Sequence, residues 1–243
     1  MKANYKMADH VFEVDSACPA VHARCTDYRT QETAEFFVAV SPEDRALEQR
    51  QADAQRKLEG EPPMAFPPEE LEFMAVHRKI CERLPQYDTL MFHGSAIAVD
   101  GEAYLFAAVS GTGKSTHTRL WREQFGERAF MVNDDKPLLR IQEGTVTVFG
   151  TPWDGKHGLS RNAAVPLKAL CLLERSKENR IARIGARECY PLFLQQVYRP
   201  FDPGAMAKTL TLLDELLEAV PLYRLGCNME PEAARVAYEA MKG

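Results

Sequence analysis

The stretch "AVSGTGKS", Ala108 to Ser115, limits what this chain can fold into more than any other. It reads as a small residue, four arbitrary ones, then Gly-Lys-Ser, the phosphate-loop pattern with Ala108 in place of the usual first glycine. An apolar run leads in and "KSTHTRLWREQF", of helical composition, leads out, which is the strand–loop–helix setting the motif requires. Each part has a task. Gly111 and Gly113 let the backbone turn successive N–H groups toward an anion. The helix that begins near Lys114 aims its positive end at the same point. Lys114 supplies a mobile charge for the β- and γ-phosphates, and the Ser115 hydroxyl is a Mg²⁺ ligand of the usual kind.

The surrounding pattern is α/β with hairpins among its strand–loop–helix units. "LMFHGSAIAV" (90–99), "DG" and "EAYLFAAV" (102–109) read as strand, two-residue turn and strand. "RAFMVNDD" is a buried strand ending in two aspartates, and "KPLLRIQ", "EG", "TVTVFG" is a second hairpin. "LKALCLLER" and "PLYRLGC" are later strands, and helices are expected over about 188–198, 203–219 and "EPEAARVAYEAMK". Upstream, "HVFEV" and "AEFFVAV" read as strands. "SPEDRALEQRQADAQRKL" reads as a solvated helix with Ser41 as cap and Pro42 at its first position. The four prolines of "EGEPPMAFPPEE" mark a loop. They predict a small N-terminal α+β lobe, 1–66, and a main domain, 67–243, opening with a helix over about 68–84.

Composition excludes several classes. In 243 residues, 45% are hydrophobic and 27% charged, the mixture of a globular protein with a sizeable core. The net charge is −5 and no basic block occurs, so no nucleic-acid partner is expected. No run of eighteen apolar residues and no apolar leader are present, which predicts a cytoplasmic protein with no membrane partner. The six cysteines form no C-x-x-C pair and read as buried thiols.

Asp134 and Asp135 end a strand twenty residues after Lys114. A strand end beside a phosphate loop is where a carboxylate can hold Mg²⁺ while another accepts a proton from an attacking hydroxyl. Side chains alternate along a strand, so both serve one site only if the chain is already turning there. His93 sits one crossing from the loop, where a buried structural histidine is the plainer reading. "FGTPWDGKHGLSRN" (149–162) is dense in Gly, Pro, Trp and charge, and offers Asp154, Lys156, His157 and Arg161 as candidates to meet phosphate, metal or acceptor.

The ordered set "HG", hairpin, "SGTGKST", "NDD" resembles the catalytic domain of bacterial HPr kinase/phosphorylase, and is similar to the nucleotide site of phosphoenolpyruvate carboxykinase. The resemblance covers about residues 89–140 firmly. It implies a mixed-sheet P-loop kinase domain in which Ser110, Gly111, Thr112, Gly113, Lys114, Ser115 and Thr116 wrap the phosphates of ATP. It places Ser115 and Asp135 near Mg²⁺, and makes Asp134 the proton acceptor assisted by His93; which aspartate takes which role stays open. The chain is too short for the family's full N-terminal domain, Thr116 stands where the family usually has Glu, and the family's Arg-Gly stretch has no clear equal. The expected activity is Mg-ATP-dependent phosphorylation of a hydroxyl on a peptide, protein or small molecule. An ATP-binding regulatory module and a carboxykinase-like enzyme are the alternatives, and the acceptor and any homo-oligomer are left open by the sequence.

Overall fold

In the first eighty residues, short β-branched and aromatic runs form strands while longer polar runs form helices. The computed structural model describes every residue except Glu59, Ser110 and Lys156. It divides the chain into two units, Met1–Arg83 and Leu84–Gly243.

The first unit contains β1 (Lys2–Met7), β2 (His10–Asp15), α1 (Pro19–Arg24), β3 (Arg29–Thr30), β4 (Phe36–Ala39), α2 (Pro42–Leu58) and α3 (Pro68–Arg83). Its sheet has the order β3-β1-β2-β4. The Ser41 Oγ accepts from Asp44 N at 3.3 Å while Asp44 Oδ2 accepts from Ser41 N at 2.9 Å, a reciprocal cap that starts α2. Most of α2 faces solvent, but Glu48 is buried and accepts from Arg78 of α3, which also donates to Asp44 at 2.7 Å. Those charges tie α3 to α2. The division therefore falls at Arg83 rather than after residue 66, and the helix that the proline loop assigns to the main domain belongs with the N-terminal unit.

The second unit contains β5 (Thr89–Met91), β6 (Ser95–Val99), β7 (Glu102–Ala107), α4 (Lys114–Phe125), β8 (Ala129–Asn133), β9 (Leu138–Gln142) and β10 (Thr145–Phe149). It continues with β11 (Ala164–Arg175), β12 (Arg180–Arg183), α5 (Ala186–Gln196), α6 (Pro203–Ala219), β13 (Leu222–Cys227) and α7 (Glu232–Met241). Its sheet follows β5-β9-β10-β11-β7-β6-β8, with β13 on β11 and β12 on β13. The sheet is mixed: β7 and β13 run parallel to β11, and the remaining pairs are antiparallel.

Alternate residues of the central strands serve opposite faces. Leu105, Leu170 and Leu172 pack with Phe193, Leu212 and Leu216 of α5 and α6. Tyr104, Phe106, Cys171 and Leu173 pack with Trp121, Ala234 and Met241 of α4 and α7. Both faces are covered, which is why these strands read as nearly unbroken apolar runs. All six cysteines are free thiols, four of them buried. No helix among the described residues is long and apolar enough to cross a membrane.

The expected strand over 90–99 is broken. Backbone N–H groups of His93 and Gly94 donate to Gln196 O at 2.6 Å and Asp135 O at 3.0 Å instead of to a ladder. β5 and β6 consequently pair with different neighbours, and His93 sits at the bend between them. β12 is a further element, a polar edge strand without the apolar alternation that marks the others.

Trp121 fixes α4 against the sheet. It is fully buried, with its ring 4.9 Å from Tyr104 and 5.2 Å from Phe106, and it donates to His117 Nε2 at 2.9 Å. Burial holds the His117 pKa down, to about 4. Between that value and the unfolded value near 6.5 the unfolded chain binds more protons, so stability is full above this window and falls as pH drops through it. The expected loss is on the order of 3 kcal/mol. Urea unfolding at pH 7, 5.5 and 4 measures it, and the slope in this window should be clearly smaller in His117→Gln; a slope unchanged by that substitution would assign the loss to other groups.

Candidate functional site

The glycine loop leaves β7 after Ala107 and enters α4 through Gly113, whose φ is 118°, while Gly111 has φ 76°. Both lie in the region that a Cβ disfavours, so the two glycines of the motif are needed for the path of the backbone. The N-cap residue of α4 is Gly113, which has no side chain to cap the helix. Its first-turn N–H groups, which have no intrahelical acceptor, are therefore available to an anion. Thr112 N donates to Val109 O at 3.1 Å, and Arg175, at the end of β11, donates from Nη2 to Gly111 O at 2.5 Å, bracing the loop from the neighbouring strand. Burial pushes the Lys114 pKa down, and the Asp135 charge pulls it back up. Ser110 lies outside the described residues.

The aspartate pair meets the condition that alternation sets. β8 ends at Asn133, and Asn133 Oδ1 accepts from Asp135 N at 2.8 Å and Lys136 N at 2.6 Å, turning the chain at once. The same side chain donates from Nδ2 to Thr151 O at 3.1 Å, so it also pins the start of the 150–163 loop. Both Asp134 and Asp135 then line one open cleft of about 410 Å³ with Gly111 to Thr116, His93, Gly155 and His157.

The two carboxylates have opposite electrostatics. Asp134 is 6% exposed and its Oδ1 accepts from Gly155 N at 2.5 Å. Burial raises its pKa, reinforced by the charges of Asp154 and Asp135 and opposed by the Gly155 hydrogen bond. For Asp135 burial also pushes upward, but it is outweighed by His93 and Lys136, whose Nε2 and Nζ lie 3.3 and 2.9 Å away, and the net pKa falls well below the usual carboxylate range. A Cβ on Gly155 would stand 2.9 Å from Asp134 Oδ2, so the loop backbone approaches that carboxylate as closely as glycine permits.

Two wings extend this cleft. One, of about 460 Å³, shares Ser115, Thr116, Asp134 and His157 and adds Arg119, Arg122 and Leu159. The other, of about 520 Å³, shares Gly111 to Gly113 and Thr116 and adds Arg175, Cys227, Asn228 and Met229. Of the loop candidates, Asp154 accepts from Ser160 Oγ at 2.8 Å and acts on Asp134 through its charge. Arg161 is absent from all three linings and sits 5.0 Å over the Phe130 ring. Lys156 lies outside the described residues. Among those described, no three His, Cys, Asp or Glu side chains gather as a metal cage. Asn133, Gly155 and Arg175 are the residues that reading the sequence passed over. Asn ahead of two aspartates is a recognisable turn signal, whereas nothing local marks Gly155 or Arg175.

No protein-family model matches the chain, and no curated protein matches it. Among solved structures it is similar to the HPr(Ser) kinase/phosphatase from Coxiella burnetii, at 12% identity with a TM-score of 0.35, over 63% of this chain and 99% of that one.

Proposed function

We propose that the Leu84–Gly243 unit transfers the γ-phosphoryl group of Mg-ATP to a hydroxyl, as the order of its motifs implies. The observation that carries this reading is the pairing of a phosphate loop with adjacent carboxylates whose environments push their pKa values apart. Such divergence separates roles: the group held ionised suits a cation, and the group raised suits a proton. Asp134 is therefore the proton acceptor and Asp135 the metal-side carboxylate.

In the step, the acceptor oxygen bonds to the γ-phosphorus as the bond from that phosphorus to the β,γ-bridging oxygen breaks. ADP departs with the electron pair, and the hydroxyl proton passes to Asp134 Oδ2, leaving Oδ1 on Gly155 N. Loop N–H groups and Lys114 hold the phosphates, and position and charge do most of the catalytic work. A Mg²⁺ ion on Ser115 and Asp135 would neutralise phosphate charge; one carboxylate plus substrate oxygens is an ordinary Mg²⁺ arrangement and needs no dedicated cage. Asp134 borders the central cleft and the arginine wing but not the Met229 wing. The nucleoside accordingly belongs on the Met229 side and the acceptor on the arginine side.

Calorimetry with Mg-ATP tests the foundation. Binding is expected in the micromolar range and should weaken roughly a hundredfold in Lys114→Ala, the cost of removing one partner from a partly buried charge pair. Equal affinity in the two proteins would remove the phosphate cradle and the kinase reading with it.

A further inference from the structure

The arginine wing contains more positive charge than a plain hydroxyl requires. Arg119 and Arg122 of α4 line it together with His157 of the 150–163 loop, and Asp134 is the carboxylate of its lining. Arg119 is tied to Glu123 at 2.6 Å. Arg122 is different: its Nε is buried and has no hydrogen-bond partner among the described residues. An unmet buried donor on a guanidinium costs roughly 1–3 kcal/mol. The planar fork of donors matches a carboxylate or phosphate in two-point contact better than it matches any neutral group.

Resting on the phosphotransfer reading, we infer that this wing is an acceptor subsite, and that the acceptor carries, besides its hydroxyl, a carboxylate or phosphate that seats on Arg122. The placement follows from shared lining: Asp134 lines both the central cleft, with Lys114, and the wing that Arg122 lines, so an acceptor anchored on Arg122 can present its hydroxyl at the carboxylate that takes the proton. A neutral alcohol offers the Arg122 guanidinium no counter-charge, and the wing therefore selects against it.

The test uses the full chain loaded with Mg²⁺ and the β,γ-imido analogue of ATP, so that the phosphate loop is occupied. Glycerol 3-phosphate, D-glycerate and inorganic phosphate are titrated in, with glycerol as the neutral control. At least one anion should bind, glycerol should not, and Arg122→Gln should weaken the anion about tenfold or more while Arg122→Lys weakens it less. Preference between glycerate and the two phosphates identifies which anion the subsite takes. If Arg122→Gln does not fold, Arg119→Gln on the same wing gives the same readout with a smaller loss. No anion binding to the loaded wild type, or binding indifferent to both arginines, overturns the inference. The two readings fail separately: if the chain refuses the ATP analogue, the kinase reading falls, while anion binding to Lys114→Ala that still depends on Arg122 leaves the subsite standing.

Discussion

Asp134→Asn should abolish nearly all phosphoryl transfer while leaving Mg-ATP affinity within about threefold. The amide cannot accept the proton of an attacking hydroxyl, and general-base catalysis is typically worth 10²–10⁴-fold, so a loss of about 10³ in kcat is expected. The amide oxygen can still accept from Gly155 N, which preserves the loop contact made at 2.5 Å. Single-turnover transfer from labelled ATP, run beside calorimetry, separates the two effects. A chain that only senses ATP has no use for this base, so a protein whose nucleotide-linked behaviour survives the substitution intact would contradict the kinase assignment.

A single methyl group at Gly150 should be among the most damaging changes in the second unit. The added Cβ would lie 1.8 Å from Arg161 O and 2.6 Å from Val132 O, both backbone atoms that cannot rotate aside. Arg161 N donates to Val132 O at 3.1 Å and Gly150 N to Ala163 O at 3.0 Å, so the intrusion pries the 150–163 loop from β8 and β10. Gly150→Ala is expected to cost about 3 kcal/mol or more. In a chain of this size that is a fall of roughly 6–12 °C in the melting transition. Gly101→Ala is the control: its φ is 84° but nothing lies within 4 Å of the added atom, so only about 1 kcal/mol of backbone strain applies. Equal losses would show that close approach at Gly150 has no special weight.

What could be read in the sequence was what short stretches decide for themselves. The loop at Gly111 and Gly113 is legible because positive φ and the start of α4 are local matters, and so is the Glu143-Gly144 turn with φ values of 50° and 75°. The alternation of Tyr104, Leu105 and Phe106 across the sheet was hidden by apolar character on both faces, although strand identity was not. The break at His93-Gly94 was unreadable, since its amides are satisfied by Gln196 and Asp135 from distant segments. The same holds for the unit boundary. Prolines mark a loop truthfully, but the partners that claim α3, Asp44 and Glu48, lie upstream of it. For the site, the residue types were visible and their electrostatic division was not. Asp134 and Asp135 are neighbours in sequence, and only Gly155, His93 and Lys136 make them unlike.

The hydrogen bond from Gly155 N to Asp134 Oδ1 has a thermodynamic corollary. A carboxylate accepts that bond more strongly than a carboxylic acid does, so each proton that arrives on Asp134 slackens the tether of the 150–163 loop. Linkage makes the relation reciprocal: seating the loop must lower the proton affinity of Asp134 by the same free energy that protonation takes from the loop. The loop and the proton are thus competing ligands of one oxygen pair, and the charge state of Asp134 is communicated to backbone twenty-one residues away without any change elsewhere in the fold.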